Sequence, residues 1–237
     1  MSTPFDTLPL TPLRKTIAAR MAEAKRTIPH FRLSADVELD ALRAWRLKLK
    51  ARQPGNGPTL NDLLIKACAG ALMEVPEVNV QWADTEIHRY RSADISVAMA
   101  LEGGVSTPIV RNADAKSIWS IAREVADLSS RAARNELRMS QILGGSFTIS
   151  NLGMYGVDQF DAIINMPQCA ILAMGAAKPR LVVDEAGSTR VARVARMTLA
   201  VDHRAIDGVT AARFLDALRR RLEQPRELRL EAAEAAC

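Results

Sequence analysis

The stretch from Met197 to Leu215 constrains the fold most, because it encodes a strand, a tight turn and a helix without interruption. Apolar side chains alternate with small or polar ones up to Asp202, which is the period of two expected of a strand. His203 lies where the strand gives way to the turn. After the turn, apolar residues recur along one helical face, and arginines 219–221 end the helix where positive charge suits its dipole. That apolar stripe consists of Ala211, Leu215, Leu218 and Leu222.

Two interpretations of this junction are open from its residues alone. Asp207 follows His203 by four positions and is a good N-cap for the helix, since its carboxylate can accept from the free amides there. His203 is then an ordinary packed histidine. In the functional alternative, His203 is a base held at the end of a rigid strand. Only His30, His88 and His203 can supply a base near neutral pH without a large pKa shift, and His203 is the best placed of them.

The remaining chain alternates between helical and strand patterns. Because hairpin signals interleave with helical crossovers, the pattern predicts one α/β domain with a mixed sheet. Residues 1–10 are predicted to be an N-terminal arm, 11–228 the domain and 229–237 a polar C-terminal tail. Helices are predicted over 12–25, 39–52, 59–75 and 117–134, and strands over 31–37, 78–82, 86–89, 95–101, 104–109, 146–150, 169–174, 180–184 and 190–202.

Composition sets further bounds on the function. The net charge of +5 comes from scattered arginines, so nucleic-acid binding is not expected, and no apolar run approaches the ~18 residues of a membrane span. Three cysteines without framework spacing, and no signal peptide, favour a reducing, cytoplasmic location. No metal site is predicted, because Asp202, His203 and Asp207 lack a second histidine or cysteine at ligand spacing. A serine hydrolase is disfavoured because Ser150 lacks a Gly-x-Ser-x-Gly elbow.

Five segments carry a resemblance to a known family. Asp202 to Gly208 has the form Asp-His-Arg-x-x-Asp-Gly, and Gly145 to Gly156 contains Phe-Thr-Ile-Ser-Asn-Leu-Gly. The chain resembles the catalytic domain of dihydrolipoyl acyltransferases, the E2 components of 2-oxoacid dehydrogenase complexes, within the chloramphenicol-acetyltransferase-like superfamily. The other matches, in the family's order, are Arg14 to Met21 with Ile28 to Phe31, Thr107 to Asp114, and Ile163 to Leu172.

The resemblance implies a fold and a reaction. The expected fold is a chloramphenicol-acetyltransferase-like two-layer α/β sandwich, with a central mixed sheet flanked by helices. The expected reaction moves a short acyl group, acetyl in pyruvate-type members, between dihydrolipoamide and coenzyme A. His203 is implied to be the general base toward the thiol. Ser150 is implied to donate a hydrogen bond to the oxyanion without becoming acylated; its structural alternative is a capping or turn serine.

The other implied residues support these two. Asp207 is implied to be a structural carboxylate paired with an arginine, for which Arg14 and Arg20 are the candidates. Acyl-CoA and lipoamide are the expected substrates, the lipoamide being carried by another domain or chain, and E1 and E3 components are candidate partners. Residues implied to contact the substrate are Ser106, Thr107, Asn151 and Gly153.

One departure from the family keeps alternatives open. Most members carry lipoyl and peripheral-subunit-binding domains before the catalytic one, and these 237 residues show none, so we expect either a fragment or a stand-alone enzyme that meets its donor in trans. One alternative function is therefore a CoA-dependent acyltransferase for another small-molecule or carrier-bound acceptor. A second is a non-catalytic structural core subunit.

Assembly is also implied by the resemblance. A domain with one His-x-x-x-Asp-Gly half is expected to form its site between subunits of a closed trimer, with His203 of one chain facing Ser150 of the next. The tail from Glu227 is polar and acidic where the family has a short apolar segment. Trimers are therefore expected more readily than a larger cage.

Overall fold

The structure is a computed structural model that describes residues 3–53, 55, 57–101 and 104–225. Residues 229–237, the predicted tail, lie outside the described residues, and residues 3–11 carry no helix or strand. The helices are α1 (Pro12–Thr27), α2 (Asp40–Arg52), α3 (Leu60–Glu74), α4 (Ile118–Ala133), α5 (Met139–Ile142) and α6 (Gly208–Glu223). The strands are β1 (His30–Glu38), β2 (Val80–Ala83), β3 (Glu86–Arg89), β4 (Ile95–Val97), β5 (Met99–Leu101), β6 (Gly104–Ser106), β7 (Ile109–Val110), β8 (Phe147–Asn151), β9 (Ala170–Met174), β10 (Lys178–Val183) and β11 (Thr189–Asp202).

One mixed sheet organises the described chain, and its strand order is β1-β11-β9-β8-β4-β7, with β10 also paired to β11. Strands β4, β8 and β9 run parallel to one another, and the remaining pairs are antiparallel. Strand β11 is the longest, with 14 residues, and pairs with three neighbours. The predicted strand that leads to His203 is thus the strand with the most neighbours in the sheet.

The main core lies between one face of this sheet and helices α3, α4 and α6. Phe147 and Ile149 of β8, with Met197 and Leu199 of β11, point into this core. The whole predicted stripe of α6 is buried there as well. Helix α3 begins with a capping box, in which the Thr59 side chain accepts from the Asp62 amide while the Asp62 carboxylate accepts from the Thr59 amide.

The opposite face of the sheet is covered differently. A smaller apolar cluster there includes Ala24 of α1, Ile164, and Ile171 and Ala173 of β9. The apolar stripe of α1 consists of Leu13, Ile17, Met21 and Ala24. Only Ala24 of this stripe is buried, and Leu13 is 56% exposed. The apolar stripe of α1 therefore faces open space beside the sheet instead of a packed core.

Two predicted strands are wrong in extent. The strand over 95–101 is divided into β4 in the main sheet and β5, which pairs with β6 in a separate two-stranded sheet. The strand over 104–109 is likewise divided into β6 and β7. Pro108 lies at this second break; it has no amide hydrogen to donate to a ladder, and its carbonyl accepts from Val97. The hydrophobic alternation of Ile95, Val97, Met99 and Leu101 runs through the first break, so it could not reveal it.

The observed arrangement confirms the predicted α/β class with a mixed sheet and flanking helices. Within the described residues, no helix is both long enough and apolar enough to cross a membrane.

Candidate functional site

A cleft of about 660 Å³ opens on the sheet face that carries the α1 stripe. Its walls are α1, the β5–β6 hairpin, the segment from the end of α4 through α5, and residues 160–165; its floor is the sheet itself. The lining is mostly apolar, but five hydroxyl side chains reach it: Thr16, Ser106, Thr107, Thr148 and Ser150. An apolar cleft with a few convergent polar groups is the usual form of a small-molecule site.

Ser150 lies on the floor of this cleft because of the strand period. Phe147 and Ile149 point into the main core, so Thr148 and Ser150 point to the opposite face. Ser150 is half-buried and sits within β8, one residue before its end. The capping alternative for Ser150 is wrong, since the 3₁₀ turn that follows begins at Gly153 and is capped by Leu152.

The cleft brings several of the predicted site residues together. Ser106 ends β6, Thr107 follows it, and both line the cleft with Ser150. Arg20 also lines it from α1 and donates to the carbonyl of Met166 at 2.9 Å. These four residues come from three separate elements and converge on one cavity.

Asn151 and Gly153 are not among the residues that line the cleft. The Asn151 side-chain oxygen accepts from the Gly153 amide at 2.9 Å, which closes an Asx turn just after Ser150. Gly153 is also tightly packed, because a Cβ there would lie 2.9 Å from the Gly175 carbonyl oxygen. In one chain both residues shape the backbone that follows Ser150.

The turn that bears His203 is fixed by an ion pair between the buried Asp202 and the partly exposed Arg204. Asp202 is 1% exposed and accepts from the Arg204 guanidinium through both carboxylate oxygens, at 2.6 to 3.2 Å. The guanidinium also lies over the Trp82 ring, 4.7 Å from its centroid. The His203 amide donates to the Pro29 carbonyl at 3.1 Å. His203 is therefore held on both sides while the residue itself stays exposed.

Phe31 and Gly208 set the position of the His203 ring. The Phe31 and His203 rings meet edge-on, with 4.8 Å between centroids. A Cβ on Gly208 would lie 3.2 Å from Cε1 of Phe31, so the glycine leaves room for that ring. This role of Phe31 was not predicted, although the Pro-His-Phe match ends on it, because no local spacing connects a residue at position 31 with one at 203.

Asp207 is the N-cap of α6, as predicted: its carboxylate accepts from the Thr210 amide at 2.8 Å. That bond lowers the pKa of Asp207, and the nearby His203 lowers it further. Within the described residues of a single chain, Asp207 forms no ion pair with Arg14 or Arg20. The predicted arginine pairing therefore stays a prediction.

The other two histidines have structural partners. His30 Nδ1 lies 2.9 Å from the Ile28 carbonyl and its Nε2 accepts from the Ile164 amide at 3.1 Å, so both ring nitrogens are used. Burial lowers the pKa of His30, which favours its neutral form. His88 lies in the exposed hairpin and pairs with Glu86 at 2.6 Å. His203 is left as the histidine best suited to serve as a base.

The two cysteines within the described ranges are core residues. Cys68 and Cys169 are both buried. Burial raises the pKa of the Cys68 thiol far above its usual range and that of Cys169 to about 12. Both therefore stay protonated at neutral pH and are poor nucleophiles. Across residues 3–53, 55, 57–101 and 104–225, no cluster of three or more His, Cys, Asp or Glu could hold a metal ion.

His203 and Ser150 are far apart in one chain. Ser150 pairs with Ala173, and Ala173 pairs with Thr198 of β11. His203 lies five positions beyond Thr198, which is roughly 16 Å farther along the strand, and two strand spacings of about 4.8 Å separate it laterally. A base and an oxyanion donor must both lie within about 3 Å of the reacting atoms. Within one chain, therefore, His203 and Ser150 are too far apart to act on the same reacting atoms.

The chain matches a known family over nearly its whole length. Residues 2–230 match the model of the family described as 2-oxoacid dehydrogenases acyltransferase (catalytic domain). The dihydrolipoyllysine-residue acetyltransferase component of the pyruvate dehydrogenase complex from Rhizobium meliloti is 42% identical over 227 residues, which cover 93% of this chain and 51% of that protein. The chain thus spans about half the length of this relative.

Solved structures agree with that match. The dihydrolipoamide acetyltransferase of Azotobacter vinelandii, studied for the role of a serine, a histidine and an asparagine in its catalytic mechanism, is 30% identical with a TM-score of 0.91. The cubic core of a pyruvate dehydrogenase multienzyme complex gives the same values, and each alignment covers 95% of this chain and 94% of the other. A chloramphenicol acetyltransferase aligns at a TM-score of 0.53 with 16% identity, over 86% of this chain and 94% of that one, a likeness of fold alone.

Proposed function

The chain belongs to the 2-oxoacid dehydrogenase acyltransferase (catalytic domain) family, and from this premise we propose that it moves an acetyl group between dihydrolipoamide and coenzyme A. The observation that carries the proposal is that the chain presents both an exposed, rigidly held His203 and a Ser150 on the floor of an apolar cleft. The acetyl group is the one named for the Rhizobium meliloti relative.

The catalytic roles follow from the chemistry of the two side chains. The His203 imidazole accepts the proton of the attacking thiol, and the thiolate sulfur bonds to the thioester carbonyl carbon. The carbonyl oxygen becomes an oxyanion, which accepts a hydrogen bond from the Ser150 hydroxyl. When the intermediate collapses, the C–S bond of the original thioester breaks, and the departing thiolate takes the proton back from His203. No acyl-enzyme intermediate forms in this reaction.

The Azotobacter relative supports the choice of residues. Its serine and histidine lie 52 positions apart, and its asparagine follows the histidine by four. Here Ser150 and His203 lie 53 positions apart, and Asp207 follows His203 by four. We assign Asp207 to the third position, where it caps α6 and holds the turn next to the imidazole.

A complete site requires a second copy of the chain. Because His203 and Ser150 cannot meet within one chain, we propose that His203 of one subunit serves the Ser150 cleft of the next in a closed trimer. A trimer has a mass of about 78 kDa, three times that of the 25.9 kDa chain. The lipoyl group is proposed to arrive on a separate domain or chain, with E1 and E3 components as partners. One similar structure is a cubic core, so the alternative to a trimer is a much larger particle. Light scattering distinguishes these two assemblies by their mass.

Acyl transfer between acetyl-CoA and dihydrolipoamide tests the proposal directly. His203→Ala is expected to abolish measurable transfer, and Ser150→Ala to lower kcat by about 10² to 10³. Ser129→Ala, an exposed site on α4, is the matched control and should leave the rate unchanged. Absence of transfer by the wild-type chain with any short acyl-CoA would overturn the proposed activity.

A further inference from the structure

The segment 137–145 forms one wall of the cleft, through Leu137 and Ile142. It contains the four-residue helix α5 and the turn that leads into β8, the strand of Ser150. Leu137 packs against the main core, but beyond it little of the segment is held by apolar packing, since Met139 is 65% exposed and Leu143 is 52% exposed. A helix of one turn is not stable by itself, so other contacts must fix this wall.

Arg111, which directly follows β7, supplies several of those contacts. Its Nη2 donates to the carbonyls of Ser140 and Leu143, both at 2.9 Å. Its Nη1 donates to the Asp94 carboxylate at 2.8 Å, and this bond fixes the orientation of the guanidinium. The second carboxylate oxygen of Asp94 accepts from the Asn112 amide at 2.8 Å, so the carboxylate itself is held in place. One side chain thus joins the end of a sheet strand to the wall of the cleft.

Two buried glutamines hold the rest of the segment. Gln168 donates to the Gly144 carbonyl at 3.4 Å, and Gln81 donates to the Gly145 carbonyl at 2.8 Å. Both glycines have positive φ, of 98° and 79°, a conformation that favours glycine. The carbonyls of residues 140, 143, 144 and 145 are thus all bound by side chains from outside the segment.

We propose that Arg111 is a positioning residue that clamps segment 137–145 as a wall of the cleft. Arginine suits this role because its planar fork can bind a carboxylate with one nitrogen and two carbonyls with another, whereas lysine would have to reach all three acceptors from one ammonium nitrogen. Arg111 does not line the cleft, so it acts through the shape of the wall. The kinetic part of this inference rests on the proposed function; the clamp itself does not.

Hydrogen exchange tests the clamp without any substrate. In Arg111→Gln, the amides of Gln141 and Leu143 are expected to exchange about tenfold faster or more, because charge-assisted bonds that hold the segment closed are lost. Arg111→Lys should give an intermediate rate. Arg190→Gln is the matched control, since it breaks an arginine–carboxylate pair with Glu38 that is remote from the cleft. Unchanged exchange in Arg111→Gln would overturn the clamp.

Steady-state kinetics test what the clamp does for the cleft. Arg111→Gln is expected to raise the KM of at least one of the two substrates, acetyl-CoA and dihydrolipoamide, about tenfold, with kcat within about twofold of wild type. Faster exchange with both KM values unchanged would overturn the role of the wall in binding. If the wild-type chain shows no acyl transfer, the proposed function fails alone, because the exchange experiment still decides whether Arg111 clamps the segment.

Discussion

The imidazole of His203 meets the ring of Phe31 edge-on, with 4.8 Å between centroids and 68° between planes. Strand pairing brings them together, since Phe31 lies opposite Val201, two residues before His203. Gly208 leaves the space that the Phe31 ring fills. Gly208 therefore affects the position of His203 through the side chain of Phe31, which lies far away in the sequence.

Gly208→Ala tests this linkage. The new Cβ would lie 3.2 Å from Phe31, so the ring must shift and take the imidazole with it. We expect kcat to fall about tenfold, the scale of one aromatic contact, even though alanine favours a helix over glycine by about 1 kcal/mol. Adding Phe31→Leu should recover part of the loss. Full activity in Gly208→Ala would contradict the linkage, and steady-state acyl transfer measures it.

Arg204→Gln tests the ion pair beneath His203. The variant leaves the Asp202 carboxylate buried without its cation, so we expect a loss of about 3 kcal/mol in the free energy of unfolding. Asp202→Asn combined with Arg204→Gln should lose less, because no buried charge remains. Arg219→Gln, which breaks an exposed pair with Asp216, should cost less than about 1 kcal/mol. Urea titrations of these three variants and the wild type decide the comparison.

Mixed subunits test the shared site. Chains with His203→Ala and chains with Ser150→Ala are each expected to be nearly inactive, but co-assembled trimers regain sites that combine the intact serine of one with the intact histidine of the other. Random mixing in equal amounts restores about a quarter of the sites. Activity of co-expressed, co-purified chains measures this. No recovery from mixtures shown to contain both chains would count against a site between subunits.

Stability at acid pH should depend on Asp36. Hydrogen bonds from Arg196, at 2.7 and 2.9 Å, lower the pKa of this carboxyl below its ordinary value, and the charge of Arg180 adds to the effect. The folded-state pKa lies below the unfolded value, so the pair stabilises the fold above about pH 4 and the contribution is lost as the pH falls through the folded pKa. Because the carboxylate is 42% exposed, we expect at most about 1 kcal/mol.

Denaturant titrations of wild type and Asp36→Asn between about pH 6 and pH 3 measure that contribution, and the difference between them should shrink toward the acid end. Asp62 provides a control, because its contribution to stability should change with pH in the opposite direction. Burial raises its pKa, so protonation of Asp62 stabilises the fold as the pH falls, and Asp62→Asn should remove that gain. A difference between wild type and Asp36→Asn that does not vary with pH would contradict the assignment.

Much of the fold could be predicted from local sequence because the forces involved are short-ranged. The alternation that ends at Asp202, the buried stripe of α6 and the caps at Thr59 and Asp207 each involve residues within a few positions of one another. The break at Ala98 was missed because apolar alternation continues through it, and only the choice of pairing partner separates β4 from β5. The second break is marked by Pro108, which cannot donate to a ladder. Helix α5 was missed because four residues are too few to show a helical period.

The sequence by itself thus determined most of the elements, their mixed α/β class and the histidine at the strand-to-turn junction. The tertiary structure alone decided where the site lies. Phe31 reaches His203, and Arg111 reaches Ser140, only because segments distant in sequence lie side by side. The separation of Ser150 from His203 likewise follows from the register across β8, β9 and β11. Such relationships depend on packing between remote segments, and no local period or cap encodes them.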